Sequence, residues 1–204
     1  MKFFLPVCAL LLATPVVAAT SVIRIQVDAS DAPRRILHAH LQFPVQPGKL
    51  TLLYPKWIPG EHGPNGPITD VVGLKMTVRE RTIEWQRDPE DMFAFNVEIP
   101  QEAELLDVGF DYLFSPSTGE FSSGSSSSAN LAMISWNQVL LYPKGPKASE
   151  LTYAADLRLP EGWKFGTALP VGNESLPNIQ FSAVSLERLV DSPVISGLHF
   201  ERWI

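Results

Sequence analysis

Prolines and glycines cut this chain into pieces too short for long helices, and that punctuation limits its fold more than any other feature. The sequence holds 18 prolines and 13 glycines. Between them apolar and polar residues alternate, as in Val22-Ile23-Arg24-Ile25-Gln26-Val27-Asp28, Ile36 to Phe43, Phe93 to Ile99, Leu105 to Phe114 and Leu151 to Leu159. An alternation of period two places one face of a strand in a core and the other in water. Proline lacks an N–H and is confined to the ends and edges of sheets, where this chain puts it. No stretch carries the 3.6-residue periodicity of a long amphipathic helix. The pattern predicts an all-β chain, a two-layer antiparallel β-sandwich-like domain with long loops and little helix.

Both ends depart from this rhythm. Met1-Lys2 is a short positive start, Phe3 to Val17 is apolar, and Val17-Ala18-Ala19 supplies small residues for cleavage. That layout predicts a signal peptide over residues 1–19, and so export to the periplasm or the outside of the cell with no membrane segment in the mature form. Cys8 is the only cysteine and leaves with the leader, so the mature chain is held by its core and not by disulfides. The formal net charge of −6 comes from scattered acids and offers no basic stripe for nucleic acid. Ser122-Ser123-Gly124-Ser125-Ser126-Ser127-Ser128 has no side chain able to build a core. The whole span from Ser115 to Asn130 therefore reads as an exposed, mobile loop. Leu131 to Leu141 reads as a strand, 170–178 as a Gly/Asn/Pro loop, and Val184 to Asp191 as either a helical turn or a strand.

One loop stands out. Leu52-Leu53-Tyr54 ends an apolar run, Pro55-Lys56-Trp57-Ile58-Pro59-Gly60-Glu61-His62-Gly63-Pro64-Asn65-Gly66-Pro67 follows, and Val71-Val72-Gly73-Leu74 resumes a strand. Proline fixes φ and glycine frees it, so the loop has a defined shape, and shaped loops between strands carry function. The simpler reading is a structural corner. Other chemistry is sparse. His38 and His40 share a strand face and, with Glu61 and His62, offer a third reading as a metal site. The plainer alternative sets them on the solvent face of a half-buried strand. Asp88, Glu90 and Asp91 read as solvated charges in a turn. The sequence contains no His-Glu-x-x-His, phosphate-loop or Gly-x-Ser-x-Gly pattern.

Tyr54-Pro55-Lys56-Trp57-Ile58-Pro59-Gly60, then Val71-Val72-Gly73-Leu74, then Leu189-Val190-Asp191-Ser192-Pro193-Val194 with Gly197, together resemble the N-terminal domain of the M61 peptidases, the glycyl aminopeptidase family. The resemblance runs from Ile23 to Gly197. It implies a β-rich, noncatalytic domain over residues 20–192 that packs on a C-terminal, thermolysin-like catalytic domain. Residues 193–204 would then be the start of a truncated catalytic domain or a linker. Zinc is expected in that missing domain and no cofactor in this chain. Peptide substrate is reached through the missing domain, and this chain alone is expected to be inactive. The chain departs from the family at Glu61-His62, where members commonly continue Pro-Gly with Ser-Tyr. Trp57, Glu61 and His62 become the substrate-cleft candidates, Glu61 as the carboxylate for a substrate amine. No catalytic or metal residue carries over to any position. The rival reading is a stand-alone exported β-sandwich binding or interaction module. Exposed apolar surface is expected near Val194 to Ile204, where a partner domain should cover it.

Overall fold

The computed structural model describes residues 21–58, 63–114 and 126–201. In chain order the strands are β1 (Val22–Asp28), β2 (Ile36–Pro44), β3 (Gly48–Leu53), β4 (Val71–Val78), β5 (Arg81–Ile83), β6 (Trp85–Arg87), β7 (Ala94–Ile99) and β8 (Leu105–Leu113). They continue with β9 (Leu131–Ile134), β10 (Tyr142–Pro143), β11 (Thr152–Arg158), β12 (Lys164–Thr167), β13 (Val171–Ser175), β14 (Asn178–Phe181), β15 (Val184–Ser185) and β16 (Val194–Gly197). One short helix, α1 (Leu186–Val190), interrupts them. The chain is all-β and sandwich-like, as its alternation predicts.

The strands form a nine-stranded sheet ordered β13-β14-β11-β1-β2-β8-β4-β5 with β15 also on β11, a four-stranded sheet β10-β3-β7-β6, and a three-stranded sheet β12-β16-β9. Among the described residues every strand pairing is antiparallel except that of β1 with β11. The alternation sets the register. Ile23, Ile25 and Val27 of β1, Leu37, Ala39, Leu41 and Phe43 of β2, and Leu106, Val108, Phe110 and Tyr112 of β8 all point inward and are buried. A slip by one residue would turn each set out to water. Phe95, Val97 and Ile99 of β7 and Phe165 of β12 join the same core, which the inner faces of all three sheets share. Gly73 lies at a register shift of β4 with a left-handed φ of 67°. A bulge there suits the residue without a Cβ, and the Trp85 indole donates to the Leu74 carbonyl beside it at 3.3 Å.

Several segments differ from what the sequence suggests. Leu131 to Leu141 is not one strand. β9 gives way to a 3-10 turn at Trp136–Gln138, and Val139, Leu140 and Leu141 are all buried. An apolar run buried all round carries no periodicity to reveal its conformation. Residues 170–178 hold strand β13, which pairs with β14 although each of its residues is exposed. An edge strand with no buried face shows no alternation. The serine tract is not loose throughout. Ser127 is buried, bridges to Ala132, and its hydroxyl donates to the Ala32 carbonyl. The Met133 N–H donates to the Ser126 carbonyl at 2.8 Å. Residues 115–125 of that tract, the leader at 1–19, and 202–204 lie outside the described residues. Val184 to Asp191 resolves both ways: β15 first, then α1, with the Ser185 hydroxyl accepting from the Arg188 N–H at 3.2 Å as an N-cap. Beyond residue 192 the chain runs on within the same sheets. β16 is the central strand of the three-stranded sheet, with Val194 and Ser196 fully buried. Ile195 on its outer side is exposed, as are Leu131 of β9 and Leu198 just past the end of the strand.

Candidate functional site

The site grows from the end of β3. Tyr54 is buried there, its N–H donating to the Phe93 carbonyl at 2.8 Å and its hydroxyl to the Gln138 carbonyl at 3.0 Å. Burial, with the charge of Asp70 adding to it, pushes this phenol well above its ordinary pKa. Lys56 follows, with its ammonium 2.8 Å from Asp91 and 5.3 Å from the centre of the Phe93 ring. Asp91 is itself held in place. Asp88 accepts from the N–H groups of Glu90 and Asp91, and Asp91 accepts from the Phe93 N–H at 3.1 Å. Asp88 and Asp91 are therefore more than solvated charges, while the exposed Glu90 enters the turn only through its backbone N–H. Asp88 caps a turn, and the hydrogen bonds it accepts lower its pKa. The hydrogen bond from Lys56 does the same for Asp91.

The return leg of the loop is pinned against the outgoing one. The Gly66 N–H donates to the Lys56 carbonyl at 3.0 Å, and the Ile68 N–H to the Gly66 carbonyl at 2.7 Å. A Cβ on Gly66 would lie 1.9 Å from the Pro55 carbonyl oxygen, so the two legs touch backbone to backbone. Ile68 is buried behind them, and the Tyr112 hydroxyl donates to Asp70 at 3.4 Å. The feet of the loop are fixed by these contacts, which is the defined shape its prolines and glycines imply.

Trp57 leaves this clamp 65% exposed. It borders an apolar groove of about 550 Å³ whose other walls are Pro55, Tyr142, Ala148, Leu186, Glu187, Val190 and Asp191. The groove thus joins the Tyr-Pro-Lys-Trp segment to the Val-Asp segment of α1, far apart in sequence. Of the three cleft candidates, Trp57 is on this groove, while Glu61 and His62 lie outside the described residues. Sequence reasoning had no reason to add Tyr142, Leu186 or Glu187. Tyr142-Pro143 repeats the Tyr-Pro pair of Tyr54-Pro55, and β10 pairs with β3 beside it, but that echo is weak without the topology.

The histidines take a different place. His38 and His40 sit on the solvent face of β2. His38 Nδ1 is 2.7 Å from Asp111 and its Nε2 3.3 Å from Asp31, while His40 Nε2 is 3.2 Å from Asp107. The Asp111 hydrogen bond, joined by that of Asp31, raises the His38 pKa above its ordinary value. Among the described residues no three His, Cys, Asp or Glu side chains converge as metal ligands. The metal-site reading also calls on Glu61 and His62, which lie outside the described residues.

The architecture recurs in solved peptidase structures. It aligns with part of an aminopeptidase N family protein from Idiomarina loihiensis, at a TM-score of 0.70 and 15% identity, over 90% of this chain and 30% of that one. It also aligns with part of an M1 zinc metallopeptidase from Deinococcus radiodurans bound to a Tyr-Ser-Ala substrate, at a TM-score of 0.51 and 12% identity, over 86% of this chain and 41% of that one. At such identities the likeness is one of fold, a β architecture that makes up part of each of those larger proteins. This chain spans less than half the length of either. A search of curated proteins finds no match. The sequence profile of the peptidase M61 N-terminal domain matches residues 24–198, and the chain belongs to that family.

Proposed function

We propose that this chain is the noncatalytic N-terminal β domain of an exported M61-type zinc aminopeptidase. It packs on the catalytic domain through the Trp57 groove and helps shape the substrate cleft. The observation that carries this reading is the meeting of two distant family segments, Tyr54 to Trp57 and Val190-Asp191, in one apolar groove beside an exposed tryptophan. A large aromatic left in water at the edge of an apolar hollow is the usual composition of an interface centre. The exposed Ile195 of β16, and Leu198 just after it, add to the apolar area a neighbour would cover. Export rests on the leader-like residues 1–19. Zinc belongs to the catalytic domain, where it supplies a Lewis acid and an activated water. Glu61 follows closely on Trp57, and its carboxylate is the group in this loop suited to a substrate ammonium.

The test is kinetic and uses the full-length peptidase. Trp57→Ala lowers kcat/KM on peptides with a free amino terminus while bound zinc stays stoichiometric. Glu61→Gln raises KM on the same peptides and leaves their amino-blocked analogues unchanged. Wild-type kinetics in both variants overturn the cleft-shaping role.

A further inference from the structure

Asn65 and Gly66 form the one Asn-Gly pair in the sequence. That dipeptide readily loses its side-chain amide, because glycine has no Cβ to shield its backbone nitrogen from the neighbouring carboxamide. Here the glycine cannot be exchanged for another residue without strain. A Cβ at position 66 would lie 1.9 Å from the Pro55 carbonyl oxygen and 2.9 Å from the Lys56 Cα. The clamp that fixes the loop therefore requires the very residue that makes Asn65 reactive.

The same clamp shuts the reaction off. Amide loss starts when solvent base takes the proton from the Gly66 nitrogen. In the closed loop that N–H donates to the Lys56 carbonyl at 3.0 Å, and Gly66 is buried. A buried, hydrogen-bonded N–H meets base only when its segment opens. The Asn65 carboxamide is reachable by water, since Asn65 is exposed, and it packs back on Gly63, with Oδ1 3.1 Å from where a Cβ would stand there. The gate is thus the backbone of residue 66 and not the side chain of residue 65.

We infer that Asn65 is a latent site of spontaneous deamidation, shut by the backbone clamp and released when the clamp opens. The reaction needs no partner domain, so it stands apart from the packing proposed above. In the open loop the Gly66 nitrogen, its proton lost to solvent base, attacks Asn65 Cγ. The new C–N bond forms as Nδ2 takes up a proton and leaves as ammonia, which closes a succinimide ring. Water then opens one of the two ring carbonyls and leaves aspartate or isoaspartate at position 65. In isoaspartate the main chain runs through Cβ and Cγ and is one atom longer. The added atom displaces Gly66 from the Pro55 and Lys56 backbones, where no side chain can give way. The isoaspartate form cannot rebuild the clamp, and the foot of the loop that carries Trp57 stays loose.

The experiment incubates the 204-residue chain in warm, mildly alkaline buffer, folded and in urea, and follows tryptic peptide 57–75 by chromatography and mass spectrometry. That peptide holds Asn65 as its one side-chain amide, so its conversion is read without ambiguity, and the two acid products separate on the column. Conversion is at least about tenfold slower in the folded chain, and the factor matches the hydrogen-exchange protection of the Gly66 N–H, because one opening gates both. Ile68→Ala, which removes the side chain buried behind the return leg, speeds conversion in the folded chain and leaves it unchanged in urea. Asn178, which precedes the β-branched Ile179, is the internal reference and stays intact in both states. The purified isoaspartate form unfolds at a lower urea midpoint than the unmodified chain. Equal conversion of folded and unfolded chains overturns the inference, since the clamp then guards nothing. So does an Asn65 as inert in urea as Asn178, since the pair is then not reactive. An isoaspartate form with the unmodified midpoint refutes the loss of the clamp.

Discussion

Replacing Gly66 with alanine tests whether the loop is clamped as described. Its Cβ would lie 1.9 Å from the Pro55 carbonyl oxygen and 2.9 Å from the Lys56 Cα. Ordinary contact begins near 3.4 Å, so the two legs must part by roughly 1.5 Å. Both atoms belong to backbone, and no side chain can swing aside. Parting stretches the 3.0 Å Gly66 N–H to Lys56 carbonyl bond beyond hydrogen-bonding range. That bond is worth about 1 kcal/mol net, and the overpacking costs about 1–3 kcal/mol more. The expected loss is about 2–4 kcal/mol, a fall of roughly 1–2 M in urea midpoint at an m-value near 2 kcal/mol/M. Gly109→Ala is the matched control. Its Cβ meets only the Ala39 carbonyl at 3.9 Å, and glycine inside a strand is less favourable than alanine by about 0.5–1 kcal/mol. That variant should be neutral or slightly stabilised. Urea unfolding followed by tryptophan fluorescence reads both. If Gly66→Ala unfolds at the wild-type midpoint, the backbone contact between the legs does not exist as described.

Tyr54→Phe removes the donor to the Gln138 carbonyl at 3.0 Å and leaves a buried acceptor unpaired, so it should cost about 1–3 kcal/mol in the same assay; an unchanged midpoint contradicts that bond. His38 gives the pH dependence. Its pKa is raised in the folded state above 6.5 by Asp111 and Asp31, so its contribution is whole below the unfolded value and is lost as pH rises through the folded one. The stability gap between wild type and His38→Gln should therefore be present near about pH 5 and close by about pH 9; a gap that widens with pH refutes the pairing.

The framework strands were legible because each has one wet and one dry face. Ile23 to Val27, Leu37 to Phe43 and Leu106 to Tyr112 alternate along β1, β2 and β8, and the alternation alone orients them. β13 and the turn at Trp136 were hidden for opposite reasons, one being exposed throughout and the other buried throughout. The parallel pairing of β1 with β11 was invisible, since strand order depends on contacts across most of the chain and not on local pattern. The candidate site was half legible. Trp57 could be singled out from its proline-framed loop. Its convergence with Leu186, Glu187 and Asp191 needed β10 to lie against β3 and α1 to be set beside them, and no spacing in the sequence encodes that.

Hydroxyl-radical footprinting of Trp57 tests the central claim most directly. The side chain is 65% exposed in this chain by itself. If the groove receives the catalytic domain, Trp57 oxidises several-fold more slowly in the full-length peptidase than in the 204-residue chain, with the exposed Met92 as internal reference. Equal oxidation rates in the two proteins would mean that the groove faces solvent in both, and the packing role would have to be abandoned.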